Sequence, residues 1–313
     1  MEEEQLRQRR HKPKKKLRVG RVITTFILLF LVLGGVYSII QYSSGYKLAS
    51  DQEKEVASFN GDEWEKGERE NILVLGVDSR GEEKSRTDTM MLVSWDKQEN
   101  DIKMVSFMRD IYAEIPGYQS YKLNTAYYLD GADLLADTLR GMFDIEIHHY
   151  ALIDFQNFES MVDILAPNGV EIEVEQDMSE HIGVTLTKGT HHLSGKELLG
   201  YARFRADQQG DFGRVERQQI VLEALKDELL SVRNIKNVPK FLGATEGFIE
   251  TDMTRTDKIK RVLDIAVSGK VEMDKLTLPV EGSYSFKSYS HAGSVLVIDK
   301  EKNSAALHDF LDK

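Results

Sequence analysis

The sequence predicts an α/β domain, a mixed and mostly antiparallel central sheet flanked by helices, carried on an N-terminal transmembrane anchor. Three observations predict it. Short apolar runs of strand length alternate with stretches of helical spacing. Some runs are joined by tight polar turns and others by helix-length connections, so hairpins and crossovers share one sheet. Val22–Ile40 is nineteen residues without a charge.

That apolar run reaches about 28 Å as a helix, roughly one hydrocarbon core. Residues 1–21 hold nine Lys/Arg against three Glu, a net of +6. The positive-inside rule keeps this end cytoplasmic and puts the rest outside. A cleaved signal peptide is the alternative, but the run is long for one and no A-x-A site follows it. Residues 41–70 are polar and read as a stalk. The expected organisation is a basic cytoplasmic tail (1–21), a signal anchor (22–40), an extracellular stalk (41–70) and an extracellular domain (71–313), a single-pass type II arrangement in the cell membrane. Beyond residue 21 there remain 32 basic and 49 acidic residues, a net of −17, which argues against nucleic-acid binding. With no cysteine there are no disulfides, thiolate metal sites or thiol nucleophiles.

Asn71–Asp78 reads as a buried strand ending in the loop Gly76-Val-Asp78-Ser-Arg80-Gly81. Arg86–Trp95 returns as a second strand, and Ile102–Asp110 follows through a polar turn as a third. A helix is expected at 131–143, a strand at 150–155, a helix at 156–165 and a strand at 170–174. A Ser-capped helix spans 194–201, and a long helix runs from near Asp211 to about Arg233. A helix near 257–267 and a closing strand at 295–299 complete the reading. Glu63, Glu65, Glu68 and Glu70 look like a solvated face, and the adjacent pairs His148-His149 and His191-His192 diverge too much for a zinc site.

The densest chemistry lies between Arg203 and Gln218: Arg203, Arg205, Asp211, Arg214, Arg217 and Gln218. Helical spacing puts the last four on one face, with Asp211 as N-cap and Val215, Ile220, Leu222, Leu225 and Leu229 on the buried side. Arg203 and Arg205, two apart, point the same way on an extended segment. Guanidinium groups beside a helix N-terminus suit phosphate oxygens. From Asn71 to Ile220 there are eight Arg and six Lys, and from Val221 onward three Arg and eleven Lys. Arginine is therefore concentrated where a two-pronged phosphate ligand is needed. A solvated, salt-bridged helix is the competing structural reading. Asp78 and Asp88 flank a short loop between adjacent strands. Two carboxylates brought together suit a Mg²⁺ ion that also binds substrate phosphate, and Mn²⁺ takes the same oxygen ligands. The plain alternative is a turn cap and an arginine partner.

Seven blocks, in order over about residues 71–230, resemble the LytR-CpsA-Psr family of cell-wall enzymes. They are Leu-Gly-Val-Asp78-Ser-Arg80, Arg86-Thr-Asp88-Thr-Met, Ser106-Phe-Met-Arg109-Asp110, Ile115-Pro-Gly, Lys122-Leu-Asn124-Thr-Ala-Tyr, Tyr201-Ala-Arg203-Phe-Arg205 and Asp211-Phe-Gly-Arg214-Val-Glu-Arg217-Gln218. Two departures stand out: Met108 where the family has proline, and Ala166-Pro-Asn-Gly-Val170 in place of a Gly-Gly-Val. The last 80 or so residues match only loosely.

The resemblance implies α-β-α layers around a mixed sheet, with an apolar cleft for a polyprenyl chain. It implies a phosphotransferase outside the membrane, moving a teichoic acid or capsular polysaccharide from undecaprenyl pyrophosphate to a peptidoglycan hydroxyl. The family's metal role falls on Asp78 and Asp88. Its pyrophosphate-binding roles fall on Arg86, Arg109, Arg203, Arg205 and Gln218, with Arg80, Lys122 and Arg217 beside them. Arg109 and Arg203 would act on the reacting phosphates, and Asp211 is the candidate base. Two other readings use the same residues: a pyrophosphatase that hydrolyses a polyprenyl diphosphate, and a non-catalytic lipid-binding or regulatory membrane protein.

Overall fold

The computed structural model describes residues 19–50, 58–78, 87–268 and 271–312. The chain forms two compact units, Met1–Ile40 and Gln41–Lys313. Helix α1 (Val19–Ala49) opens it, and Gly20–Ala49 is long and apolar enough to cross a membrane.

The elements that follow are β1 (Glu70–Val77), β2 (Thr87–Asp96), β3 (Asp101–Phe107), the short pair β4 (Tyr112–Ala113) and β5 (Tyr121–Lys122), and α2 (Asn124–Phe143). Then come β6 (His149–Asp154), α3 (Phe155–Leu165), β7 (Val170–Val174), β8 (Gly189–Leu193), α4 (Gly195–Arg203) and α5 (Gly210–Leu230). The chain closes with α6 (Val238–Phe248), β9 (Ile249–Thr251), α7 (Arg255–Ser268), β10 (Glu272–Leu278), β11 (Tyr284–Tyr289), β12 (Gly293–Ile298) and α8 (Lys300–Leu311).

Six strands make the central sheet in the order β10-β3-β2-β1-β6-β9. The pairs β1/β2, β2/β3 and β6/β9 are antiparallel, while β1/β6 and β3/β10 are parallel. The mixed, mostly antiparallel sheet is therefore as expected. The pleat sorts its side chains onto two faces. Leu73, Leu75, Met90, Leu92, Val105, Phe107, Tyr150 and Leu152 pack with Leu135, Leu139 and Phe143 of α2 and Leu307 of α8 in the largest core cluster. Val74, Met91, Val93, Met104, Ala151 and Ile153 face the other way, toward α3, α5 and α6. Helices cover both faces, which is the layered α-β-α arrangement.

Local sequence explains the best-placed helices. Asp154 caps α3 by accepting from the Gln156 N–H at 2.8 Å. Ser194 and Glu197 form a reciprocal capping box on α4,. In α2 the Asp130-Gly131 pair is non-helical, with Gly131 at φ +70°, so the helix begins at Asn124 and bends before the stretch read as helical.

The stalk expected at 41–70 is different here. Gln41–Ala49 stays helical and packs against α6 through a seam of glycines. A Cβ on Gly45 would lie 1.9 Å from the Lys240 carbonyl oxygen, one on Gly243 2.0 Å from that of Tyr42, and one on Gly247 2.1 Å from that of Ala49. Farther on, Phe59 packs on Tyr150 at 5.0 Å, and Asp62 accepts from Arg140 and the Ile147 N–H. The described parts of this segment thus belong to the body. Glu70, read as solvated, is 0% exposed. It pairs with Lys97 at 2.9 Å and with Arg261. Burial pushes its carboxyl up, but the hydrogen bonds from Lys97 and Arg261 outweigh this and hold it below the usual carboxylate range.

Candidate functional site

The site forms where β1 and β2 end. Gly76 pairs with Thr89 and Val77 with Thr87, so Asp88 sits in a β-bulge with no opposite residue. The Thr87 hydroxyl holds the bulge by donating to the carbonyls of Gly76 (2.9 Å) and Thr89 (2.6 Å). A bulge re-aims a side chain, and here Asp88 meets Arg109, Nη1 to Oδ1 2.5 Å. Arg109 follows β3 and also reaches Asp211 at 3.5 Å. On its other side Asp110 bridges Arg109 (3.5 Å) and Lys122 (2.6 Å).

Helix α5 brings in the second half. It starts at Gly210, after Gln209, so Asp211 lies in the first turn and is not the N-cap that its spacing indicates. Asp211 is shared by two guanidiniums, Arg109 and Arg214, the latter at 3.1 Å. Arg214 is buried, and its Nε has no hydrogen-bond partner among the described residues. Burial, then the charge of Arg109, holds its guanidinium below the ordinary value. Burial also lowers Arg109, but Asp88 and Asp211 outweigh it and raise that group. The buried Nε–H of Arg214 is thus a donor left over after Asp211 is shared, and an anion would satisfy it,.

Arg203 does not share an extended segment with Arg205. It is the last residue of α4, its Nη2 3.3 Å from Asp78 Oδ2 and its guanidinium 5.2 Å over the Phe155 ring. Arg205 is exposed, yet near enough for its charge to act on Arg214. Arg217 has a structural partner set. Buried, it donates to the Phe204 carbonyl at 3.2 Å and pairs with Asp207, pinning the loop between α4 and α5. Gln218 is buried and borders an apolar opening with Gly76, Thr89, Phe155 and Arg203. Asp78 and Asp88, the expected metal pair, thus end adjacent strands, each against an arginine. No group of three or more carboxylates or histidines placed to hold a metal ion occurs among the described residues, so any divalent ion here takes two carboxylates and needs phosphate oxygens and water to complete its shell. Arg80 and Arg86 lie outside the described residues.

The opening leads into a cavity of about 340 Å³ between the sheet and the helices. Val74, Val93, Met104, Ala151 and Ile153 form its floor, and Phe158, Leu165, Leu222, Leu225, Leu229 and Phe241 its roof. Val74, Ile153, Phe158 and Leu222 line both the opening and the cavity. Protein interiors seldom hold voids much larger than a water, and an apolar void of this size accepts an apolar guest. It also explains why Leu222, Leu225 and Leu229 are only half-buried. Spacing shows a buried helix face but not what the face meets. Arg214 and the cavity lining are what the site residues expected from sequence leave out. The signal for Arg214 was its shared face with Asp211; the lining had none.

Met108, where the family has proline, donates its N–H to the Leu278 carbonyl at 3.0 Å, a bond proline cannot make. The substitution ties β3 to β10 and leaves Arg109 in place.

Among known proteins, the chain is 44% identical over 280 residues to Regulatory protein MsrR of Staphylococcus aureus (strain COL), covering 89% of this chain and 85% of that one. It is 32% identical over 241 residues to the polyisoprenyl-teichoic acid--peptidoglycan teichoic acid transferase TagU of Bacillus mycoides (strain KBAB4), covering 74% and 78%. Among solved structures, the LytR-CPS2A-psr family protein YwtF (TagT) with bound octaprenyl pyrophosphate lipid matches with a TM-score of 0.60 and 26% identity, over 80% of this chain and 94% of that one. The LytR_cpsA_psr family pattern matches residues 34–307, and with the ordered motifs, the layered fold and these relatives it establishes that the chain belongs to that family.

Proposed function

We propose that this chain is a membrane-anchored phosphotransferase that moves a glycopolymer of the teichoic acid type from undecaprenyl pyrophosphate to peptidoglycan. One observation carries the reading: the apolar opening beside Arg203 and Gln218 shares Val74, Ile153, Phe158 and Leu222 with the apolar cavity, so a single amphiphile with a hydrocarbon tail and a diphosphate head suits both. A relative binds octaprenyl pyrophosphate, and another is named for the transfer. The anchor, the extracellular placement of residues 71–313 and the type II topology belong to this proposal, since carrier and peptidoglycan meet outside the membrane.

In this reading the tail fills the space along α5. Arg109, Arg203 and Arg214 hold the diphosphate oxygens, with Arg205, Lys122 and Gln218 at the rim. Arg80 and Arg86, which lie outside the described residues, are assigned the same role from the sequence alone. Arg217 supports from behind by fixing the α4–α5 loop. The acceptor hydroxyl oxygen attacks the phosphorus that bears the glycan. A new phosphodiester forms, the bridging P–O bond breaks, and polyprenyl phosphate leaves. Guanidiniums already in place stabilise the charge that grows on the leaving oxygens. Asp211, held by Arg109 and Arg214, is released as they turn to phosphate, and it then accepts the hydroxyl proton. Mg²⁺, or Mn²⁺, held by Asp78 and Asp88 would neutralise diphosphate charge.

The 44% identical relative carries a regulatory name, which keeps the non-catalytic reading in the test. Full-length protein in nanodiscs is incubated with a polyprenyl-pyrophosphate disaccharide and peptidoglycan oligomers, with Mg²⁺ or EDTA. Glycan on peptidoglycan, lost with EDTA and in Asp88→Ala, supports the transferase and the metal pair. Free polyprenyl phosphate without transfer means a pyrophosphatase. Tight carrier binding without turnover means a lipid-binding regulator.

A further inference from the structure

The turn between α5 and α6, residues 231–237 (Ser-Val-Arg-Asn-Ile-Lys-Asn), has no part in the charged site. Its Val232 is 88% exposed and its Ile235 63% exposed. Such exposure usually goes with a loose loop, but this turn is built. The N–H groups of Asn234 and Ile235 donate to the Ser231 carbonyl at 2.9 and 3.1 Å, and that of Asn237 to the Asn234 carbonyl at 2.7 Å. Asn234 is buried and bonds Glu228, and Asn237 Nδ2 donates to the Leu165 carbonyl at 3.0 Å. The polar side chains therefore anchor the turn from inside. Val232 and Ile235, three apart on one helical-type turn, project together.

Three further observations say what covers them. The turn carries Arg233 and Lys236 and no acidic residue, which suits anionic phosphate headgroups around apolar tips. It leads directly into α6, the helix whose glycines clasp Gln41–Ala49, and the apolar run of the anchor ends one residue earlier, at Ile40. Chain connectivity alone thus keeps α6 close to any bilayer that holds the anchor. The lining of the apolar cavity reaches Leu229 and Phe241, on either side of the turn.

We infer that residues 231–237 form a membrane-contact turn, with Val232 and Ile235 in the headgroup layer and Arg233 on lipid phosphate. The turn holds the far end of the cavity at the bilayer surface, so a hydrocarbon chain passes between membrane and protein without crossing water. The inference does not depend on which reaction the site performs.

The chain has no cysteine, so single-cysteine labelling is clean. Full-length Val232→Cys and Ser285→Cys proteins are labelled with an environment-sensitive fluorophore and reconstituted into vesicles of phosphatidylcholine and phosphatidylglycerol. Ser285 is an exposed control. Its neighbour Tyr284 stacks on Phe212 at 5.4 Å, at the other end of α5. The expected result is a blue shift at position 232 with loss of emission to doxyl-labelled lipid, and neither at 285. In Ile235→Asp carrying the same label at 232, both effects shrink while the protein stays folded by circular dichroism. Water-like emission at both positions overturns the inference. So does a blue shift at 232 without doxyl quenching, which would mean burial against protein.

Discussion

Ala151 offers a test of whether the space beneath α5 is real. It lies on β6, paired with Val74 and Thr251, and its methyl faces the 340 Å³ cavity. Enlarging a core side chain ordinarily costs about 1–3 kcal/mol through forced rotamers and backbone shifts. Here Ala151→Leu adds three carbons to empty apolar volume. At about 0.8 kcal/mol per buried methylene the gain is about 2.4 kcal/mol, from which about 0.5–1 kcal/mol of side-chain entropy is lost. The net, roughly 1.5–2 kcal/mol of stabilisation, corresponds to a melting temperature raised by about 3–6 °C in a body of this size. The assay is thermal unfolding of the full chain in nanodiscs, followed by the fluorescence of Trp64 and Trp95. The same variant should lose much of the thermal shift that polyprenyl pyrophosphate gives the parent, because leucine and lipid compete for one volume. A fall of several degrees without ligand, or an undiminished lipid shift, refutes the argument: the sheet and helices would then be close-packed and the lipid held elsewhere.

Arg109→Ala and Arg214→Ala should each lower turnover by about 10²–10³ with the fold retained, as for other lost transition-state donors; wild-type turnover in both would displace the site. Arg217→Ala should act on folding first, costing about 3 kcal/mol by leaving Asp207 without its buried partner, and urea unfolding distinguishes that from a loss confined to kcat. Glu70 has a depressed folded-state pKa, so its contribution to stability is present above the ordinary carboxylate range and is lost as pH falls through the folded value. Glu70→Gln should therefore unfold more easily than the parent at pH 7, and the two denaturation midpoints should converge in strong acid. Gly243→Ala drives a methyl toward the Tyr42 carbonyl and should cost about 2 kcal/mol or more, read as a lower melting temperature with unchanged activity per folded molecule.

Elements with their own boundary chemistry were legible in the sequence. The first three strands, α3, α4 and α5 start or stop at turns, caps or apolar periodicity that survive in the fold, and Arg214 near Asp211 does meet Arg109 after β3, the two sharing that carboxylate. What escaped has a shared physical cause: the deciding partner is remote in sequence. Helix α6 contains glycines that argue against a helix, and only Gln41–Ala49 lying against it explains them. Strand β10 is a half-exposed edge strand with charged Glu272, Asp274 and Lys275, so it shows little apolar pattern. Asp211 resembled a cap because caps are recognised from local sequence, whereas its position follows from Gly210 at φ +55° and two arginines, one of them from another element. Glu70 reads as solvent-facing among its glutamate neighbours, and nothing near it in sequence announces Arg261.

The continuity between the opening beside Arg203 and the apolar cavity also bears on the rate of the proposed reaction. In the proposed reaction a carrier bound there would give up its glycan-bearing phosphate but keep its hydrocarbon contacts. Substrate and spent carrier then differ in affinity only through the headgroup, and the product is retained by the larger, unchanged part of the interaction. On that proposal, escape of the monophosphate rather than bond cleavage would be the slow step of the cycle, and carrier returning to the membrane pool would act as a competitive brake on further transfer.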